Sequence, residues 1–405
     1  MRGSAGSGSG VVSSLWGPWN NKDESGWRDD ITIDYNVEAN LFGAAIMGRV
    51  EDSMFESYAT FGQDLFNISS QRSRSNWTLT GNPHSPSLGT GIHDLSKPVH
   101  RPSLIPNSST SFLGLEAPNS LGPFNQAFYT DWGNRWPAAM FAAPLIEWYW
   151  YNPNVTVLKT YIYPWVAGAA DFYASYAVPS PSSSPSSYDL YPSCGQEQCR
   201  QRTGKTSPQW ERQVTADLGL ARLVLAEAVA LAAPAGMENA TRIARWKNVL
   251  ENLVGLPLTS SSSPPQLVGS GIGNNGEVVD PLGNFNTPLV NTMPIYPGRW
   301  VTLSTGNETF RNALNATAWT LAEAAKFAPQ NGLCSGWPAL ARLCANPHCA
   351  TSLLTNFEAA LTRTMFPNFW PNLGGGGLEQ MGALDAILAL VIQSEEGFVR
   401  LFPGW

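Results

Sequence analysis

Charge is scarce in this chain: 14% of its 405 residues are Asp, Glu, Lys or Arg, and the net charge is −7. A surface with so little Lys and Arg has no basic face for phosphates, which argues against nucleic-acid binding. Histidine is rarer still. The four, His84, His93, His100 and His348, show neither H-E-x-x-H nor any H-x3-5-H spacing with nearby cysteines, so no zinc site is expected. Long apolar runs are also missing. Each is broken by Pro, Asp or Glu within about 15 residues, short of the roughly 20 needed to span a bilayer, and no membrane span is expected. No G-x-S-x-G elbow, Walker loop or dinucleotide fingerprint occurs. The four-glycine run Gly374 to Gly377 is followed by Leu378 without Lys, Ser or Thr, which reads as a tight turn near a ligand rather than a phosphate cradle. No metal or organic cofactor is implied.

What is present points to a large helical core. Hydrophobic residues make up 43% of the chain and aromatic residues 11%, enough for a folded globular protein. Residues 1–14 form a Gly/Ser tail, and residues 15–405 read as one domain. Apolar residues recur at spacings of three and four in segments beginning at Trp136, Val157, Trp210, Ala240, Glu308, Cys349 and Leu378, whereas period-two strand runs are few. Several of these helices are apolar nearly all round, as expected for burial on two sides in a closed, two-layered array of helical hairpins. Two Ser/Pro-rich inserts, from Pro179 and Leu258, read as surface loops, and the stretch from Asn67 to Pro123 as long irregular loops.

Seven N-x-[ST] sequons, at Asn67, Asn76, Asn107, Asn154, Asn239, Asn307 and Asn315, fit a secretory-pathway or lysosomal protein, although no signal peptide is visible. Five cysteines in such a chain favour disulfides over metal. Cys194 and Cys199 form one candidate short bridge, with Cys334, Cys344 and Cys349 leaving one thiol over.

The remaining chemistry lies in carboxylates with aromatic and amide neighbours. Glycosidic cleavage needs one acid for the leaving oxygen and one base for water, with flat aromatic faces for sugar rings. The candidates are Asp34, Asp131, Glu197 and Glu379. In TIDYNVEANLF, Asp34, Asn36, Glu38 and Asn40 alternate, so an extended segment would align them on one face. FYTDWGNRWP sets Asp131, Trp132 and Trp136 just before a buried helix, where capping and ion pairing compete with substrate contact. Glu197 lies in the Cys/Gly-rich stretch YPSCGQEQC between two helices.

Several ordered segments resemble the catalytic barrel of glycoside hydrolase family 95, the inverting α-L-fucosidases. LWGPWN at Leu15 is similar to the family's L-Q-G-x-W-N, and ITIDYNVEANLFGA to its Y-T-x-N-x-N-x-Q-M-N-Y-W-P-A. Trp136-Pro137 and YPWVAGAADFY, then NTMPIYPGR from Asn291, then ALVIQSEEGFVRLFPGW follow in the family's order. The resemblance implies an all-α (α/α)6 barrel, a six-hairpin toroid, without the family's flanking β-domains. It also implies a glycan substrate and terminal α-L-fucosyl or related α-L-galactosyl-type linkages cleaved with inversion.

PSCGQEQ overlays the family's P-S-x-S-P-E-N, which makes Glu197 the general acid. A disulfide between Cys194 and Cys199 would then fix its loop. Asn36 matches a water-orienting asparagine, while Asp34 stands where the family has the other. The family's late aspartate falls on Leu378, with Glu379 next to it, so Glu379 or Asp34 is the expected base. The family's sugar-binding histidines are replaced by Pro288 and Asn291, which should alter sugar selectivity. Asn40, Asn291, Asp131, Trp132 and Trp136 are the expected substrate contacts. The losses leave a catalytically inactive carbohydrate-binding barrel as the alternative.

Overall fold

In the computed structural model of this chain, the described residues are 12, 14–15, 31–33, 35–48, 58, 61–62, 115, 120–121, 127–129, 134–180, 187–191, 193, 211–259, 263–272, 289–323, 330–364, 382–395 and 397–404. Most of them are helical. The main helices are α1 (Asn36–Ala39), α2 (Pro137–Tyr151), α3 (Tyr163–Tyr176), α4 (Thr215–Ala230), α5 (Ala240–Asn252), α6 (Leu289–Thr292), α7 (Glu308–Glu323), α8 (Gln330–Leu343), α9 (Pro347–Thr364) and α10 (Asp385–Val391); shorter helical turns at Val155–Val157, Leu158–Ile162 and Ala232–Ala235 flank α3 and α4. Strands are short and antiparallel. β1 (Ile31–Thr32), β2 (Ser120–Leu121) and β3 (Ala127–Tyr129) form one sheet, with Ile31 opposite Leu121. β4 (Ala177–Pro179) pairs with β5 (Tyr188–Leu190), β6 (Arg212–Val214) with β7 (Ser270–Ile272), and β8 (Ile392–Glu395) with β9 (Phe398–Leu401).

Helix α2 begins with Pro137 at a position where a missing N–H costs nothing, and every residue from Pro137 to Trp148 is buried. Its sequence has no polar face to turn toward water, so it is stable only when covered on all sides. Phe141 stacks on the ring of Tyr58, at 4.4 Å, and meets the tilted ring of Trp165, at 4.6 Å. The Trp165 indole N–H donates to the carbonyl of Ala138 at 2.8 Å, which ties α3 to α2. Full burial of each such ring contributes about 1.5–3 kcal/mol.

Side-chain contacts fix the helix directions. Arg135, just before α2, donates its backbone N–H to Asp217 in the first turn of α4, at 3.1 Å. Near the other ends of the same helices, Glu147 of α2 and Glu227 of α4 both feel the charge of Arg299. The two helices therefore run parallel. Tyr173, near the end of α3, donates its hydroxyl to the carbonyl of Arg135 at 2.6 Å, so α3 runs against both. Asp171 of α3 then accepts from Arg242 (2.8 Å), Arg245 (2.6 Å) and the indole of Trp246 (2.9 Å), which docks α5. At the end of the chain, a Cβ on Gly382 would lie 2.5 Å from the carbonyl oxygen of Ala39, so the turn before α10 packs on α1.

Three expectations are corrected. The segment around Asn36 is a helical turn rather than extended, so alternate residues do not share a face. The helical segments from Trp210 and Leu378 give way to strand at Arg212–Val214 and Ile392–Glu395. Helix α8, which contains Gly332, Gly336 and Pro338, was not anticipated from periodicity. It forms because Cys334, Trp337, Ala339, Leu340 and Ala341 are all buried, and tertiary packing outweighs weak local propensity.

Candidate functional site

The polar residues that precede α2 and open α4 meet at Asp217, a fully buried carboxyl. It accepts from the backbone N–H of Arg135 and from the hydroxyl of Ser193. Desolvation pushes its pKa up to about 7, against the pull of these two donors and of the Arg135 charge; nearby Asp189 adds to the rise. Asp189 itself accepts from the backbone N–H groups of Leu190 (2.8 Å) and Gln213 (3.0 Å) and pairs with Arg212 at 3.5 Å. Burial nevertheless raises its pKa. The guanidinium of Arg135 donates to the hydroxyl of Tyr176 at 3.1 Å.

This cluster holds the neck of the stretch that carries Glu197. Glu211 donates its backbone N–H to the carbonyl of Ser193 at 2.8 Å, so the chain leaves and returns at one point. Asp217 anchors that point through the Ser193 hydroxyl. The sheet of β1, β2 and β3 ties Ile31–Thr32, which precede α1, through Ser120–Leu121 to Ala127–Tyr129, which precede α2 in the sequence.

Asn36 and Asn40 are both buried, and the i, i+4 spacing of the helical turn puts them on one side. The Asn40 amide donates to the carbonyl of Asn36 at 2.9 Å, while its Oδ1 lacks a partner among the described residues. Glu38 turns away from them and is 0% exposed; neither of its carboxyl oxygens has a hydrogen-bond partner among the described residues. Burial raises its pKa to about 8, and the backbone amides of Glu38 and Tyr35 offset this only in part. Its proximity also raises the pKa of Tyr58 beyond the effect of burial.

Of the substrate contacts expected from the sequence, Trp136 is 2% exposed and packs in the core at the start of α2. Asn291 is buried in α6 and donates to the carbonyl of Leu267 at 3.2 Å. Asp34, Asp131, Trp132, Glu197, Glu379, Pro288 and the glycine run from Gly374 lie outside the described residues, as do Cys194 and Cys199. The described disulfide joins Cys344 to Cys349, and Cys334 is buried.

Asp217, Ser193, Asp189 and Glu38 were not singled out for the site from sequence. Asp217 sits in T-A-D at a helix start, where an acid ordinarily complements the helix dipole. Its bond to Ser193 spans 24 residues and leaves no local signature.

A second buried charge cluster lies deeper. Arg299 pairs with Glu147 at 3.0 Å, and the Tyr296 hydroxyl donates to the same carboxylate at 3.1 Å. Arg342 pairs with Asp385 and stacks 3.6 Å from the centre of the Tyr296 ring. Burial raises the pKa of Glu147 despite Arg299, and that of Glu227 to about 7. Each guanidinium pairs with a carboxylate inside the core, and one oxygen of Glu147 and one of Asp385 have no hydrogen-bond partner among the described residues.

Among the described residues, no group of three or more His, Cys, Asp or Glu is arranged to hold a metal ion, and no helix is long and apolar enough to cross a membrane. The sequence matches no protein-family model, and no curated protein matches it. The family 95 resemblance therefore stands on its motifs alone. Eighteen chains of solved structures match the fold. One, described as a kojibiose phosphorylase from the human microbiome, aligns over 98% of this chain with a TM-score of 0.53 at 9% identity. This chain spans about half of it, 49%.

Proposed function

We propose that the chain is a carbohydrate-active enzyme built as an (α/α)6 barrel, and that it cleaves a glycosidic bond at the end where α2 and α4 begin. The observation that carries this reading is the likeness of fold, over nearly the whole chain, to a protein described as a kojibiose phosphorylase. The alternating directions of α2, α3 and α4 and the contact between α1 and the turn before α10 support the barrel.

At finer grain, the reaction is hydrolysis with inversion of a terminal α-L-fucosyl or related α-L-galactosyl-type linkage. Glu197 protonates the leaving oxygen, and Glu379 or Asp34 takes a proton from water oriented by Asn36. Asn40, Asn291, Asp131 and Trp132 shape the sugar site, with Trp136 supporting it from the core. The same chain is proposed to pass through the secretory pathway, because the sequons at Asn154, Asn239 and Asn307 are exposed and the Cys344–Cys349 bridge requires an oxidising compartment.

The test is proton NMR of aryl α-glycosides, 4-nitrophenyl α-L-fucoside first among them, with and without phosphate. Free β-L-fucose as the first product supports inverting hydrolysis. The α-anomer first would mean retention, and a sugar 1-phosphate would mean phosphorolysis. Because the family's late aspartate is absent, a second reading is a barrel that binds sugar without cleaving it. Binding without turnover across the panel would establish that reading.

A further inference from the structure

A cavity of about 650 Å³ lies between α7 and α9 and shares no residue with the cluster around Asp217. Arg311, Asn315 and Trp319 follow one another at four-residue spacing on α7, as do His348, Ser352 and Asn356 on α9. That spacing puts each trio on one helix face. Two helices that pack through a core usually meet along apolar stripes, but here the stripes carry guanidinium, amide and indole on α7 and imidazole, hydroxyl and amide on α9. Asn312 and Asn346 bring the amides in the lining to four.

The wall is already shaped for a ligand. Asn346 accepts the backbone N–H of Cys349 at 2.9 Å, and the Cys344–Cys349 bridge closes the same turn between α8 and α9. Arg311 donates to the carbonyls of Leu303 (3.2 Å) and Thr305 (3.1 Å), which holds its guanidinium along the wall. The Oδ1 of Asn315 is shielded from solvent and has no hydrogen-bond partner among the described residues. A buried amide oxygen without a donor costs about 1–3 kcal/mol, which a ligand hydroxyl would recover.

We infer that this cavity binds a neutral sugar, a mono- or disaccharide, without cleaving it. Amides both donate and accept, as ring hydroxyls do, and Trp319 supplies an aromatic face for the apolar side of a pyranose. The volume lies within the usual range for small-ligand pockets, about 300–1,000 Å³. No carboxylate is among the lining residues, so acid–base cleavage has no donor here. The inference rests on this geometry alone and stands apart from the reaction proposed at the Asp217 end.

The test uses the full chain carrying Glu197→Gln, titrated with methyl α-D-glucoside, methyl α-D-mannoside and methyl α-L-fucoside while the indole signals are followed by NMR. Asn312→Ala/Asn356→Ala removes two amides from exposed positions and so spares the fold. Asn315→Leu fills the buried oxygen's place. A saturable shift with at least one sugar, weakened tenfold or more by the exposed double variant, is the expected result. Affinity unchanged in that variant, or no saturable binding of any of the three sugars to the folded parent, overturns the inference. Turnover of aryl glycosides by the unaltered chain tests the Asp217 end separately.

Discussion

Burial keeps Asp217 and Glu38 protonated at pH values where free carboxyls are ionised. Asp217 moves from 3.8 to about 7 and Glu38 from 4.5 to about 8. Between the lower and upper value of each group, the folded chain binds more protons than the unfolded one, so stability falls as pH rises through that window and levels off above it. The melting temperature should therefore be higher at pH 5 than at pH 8. Glu38→Gln, which cannot ionise, should remove part of that slope and stabilise the protein at pH 8 by up to a few kcal/mol, at about 1.4 kcal/mol per pKa unit. A melting temperature that rises between pH 5 and pH 8 would contradict this assignment of protons. In the proposed reaction, Asp217 would act by anchoring Ser193 at the start of the stretch that carries Glu197. Asp217→Ala should lower kcat against aryl glycosides about tenfold or more and speed hydrogen exchange around residues 193 and 211, whereas Asp217→Asn, which still accepts from Arg135, should retain most of the rate. Little of this was legible beforehand: nothing local marks Asp217, and the alternation set Glu38 beside Asn36 and Asn40 on one face, whereas the helical turn buries it.

At the level of elements, the helices apolar all round were the most readable part of the chain. Helix α2 lies within one residue of the segment its periodicity marks, because a sequence such as PAAMFAAPLIEW has no stable conformation except a covered one. Helix α8 was hidden for the opposite reason: its glycines and proline discount it locally, and the packing that compensates comes from elsewhere in the fold. α8 also carries Arg342, whose pairing with Asp385 joins it to α10. Arg342→Met would strand Asp385 as an unpaired buried charge. Its expected cost is about 3–5 kcal/mol, read as a drop in the denaturation midpoint. Replacing Arg342 and Asp385 together by apolar residues should recover much of that loss, and a double variant as unstable as the single one would show that the pair's charge is not the issue.

At the scale of the whole molecule, α1 and the turn before α10 meet although they lie far apart in the sequence. The turn before α10 approaches α1 so closely at Gly382 that an added Cβ would press on the carbonyl of Ala39 and the side chain of Cys334. Gly382→Ala should cost about 1–3 kcal/mol by forcing those segments apart, although it deletes no contact. Calorimetry that finds the variant as stable as the parent would remove this closure from the account. The order of helical segments was visible in the sequence. The contact across nearly 350 residues was not, since small residues mark close approach without naming the partner. The same holds for the site: Asn36 and Asn40 were marked by their motif, but the helical turn that aligns them required the folded backbone.

The most direct test of the central claim, a glycosidic bond cleaved with Glu197 as the acid, is the dependence of the rate on leaving group in Glu197→Gln. With a sugar or 4-nitrophenyl leaving group the folded variant should lose most of its activity, by about 10²–10⁴. With 2,4-dinitrophenyl, which needs no proton to depart, the loss should be far smaller. Equal losses on both substrates, or none on either, would contradict the role given to Glu197.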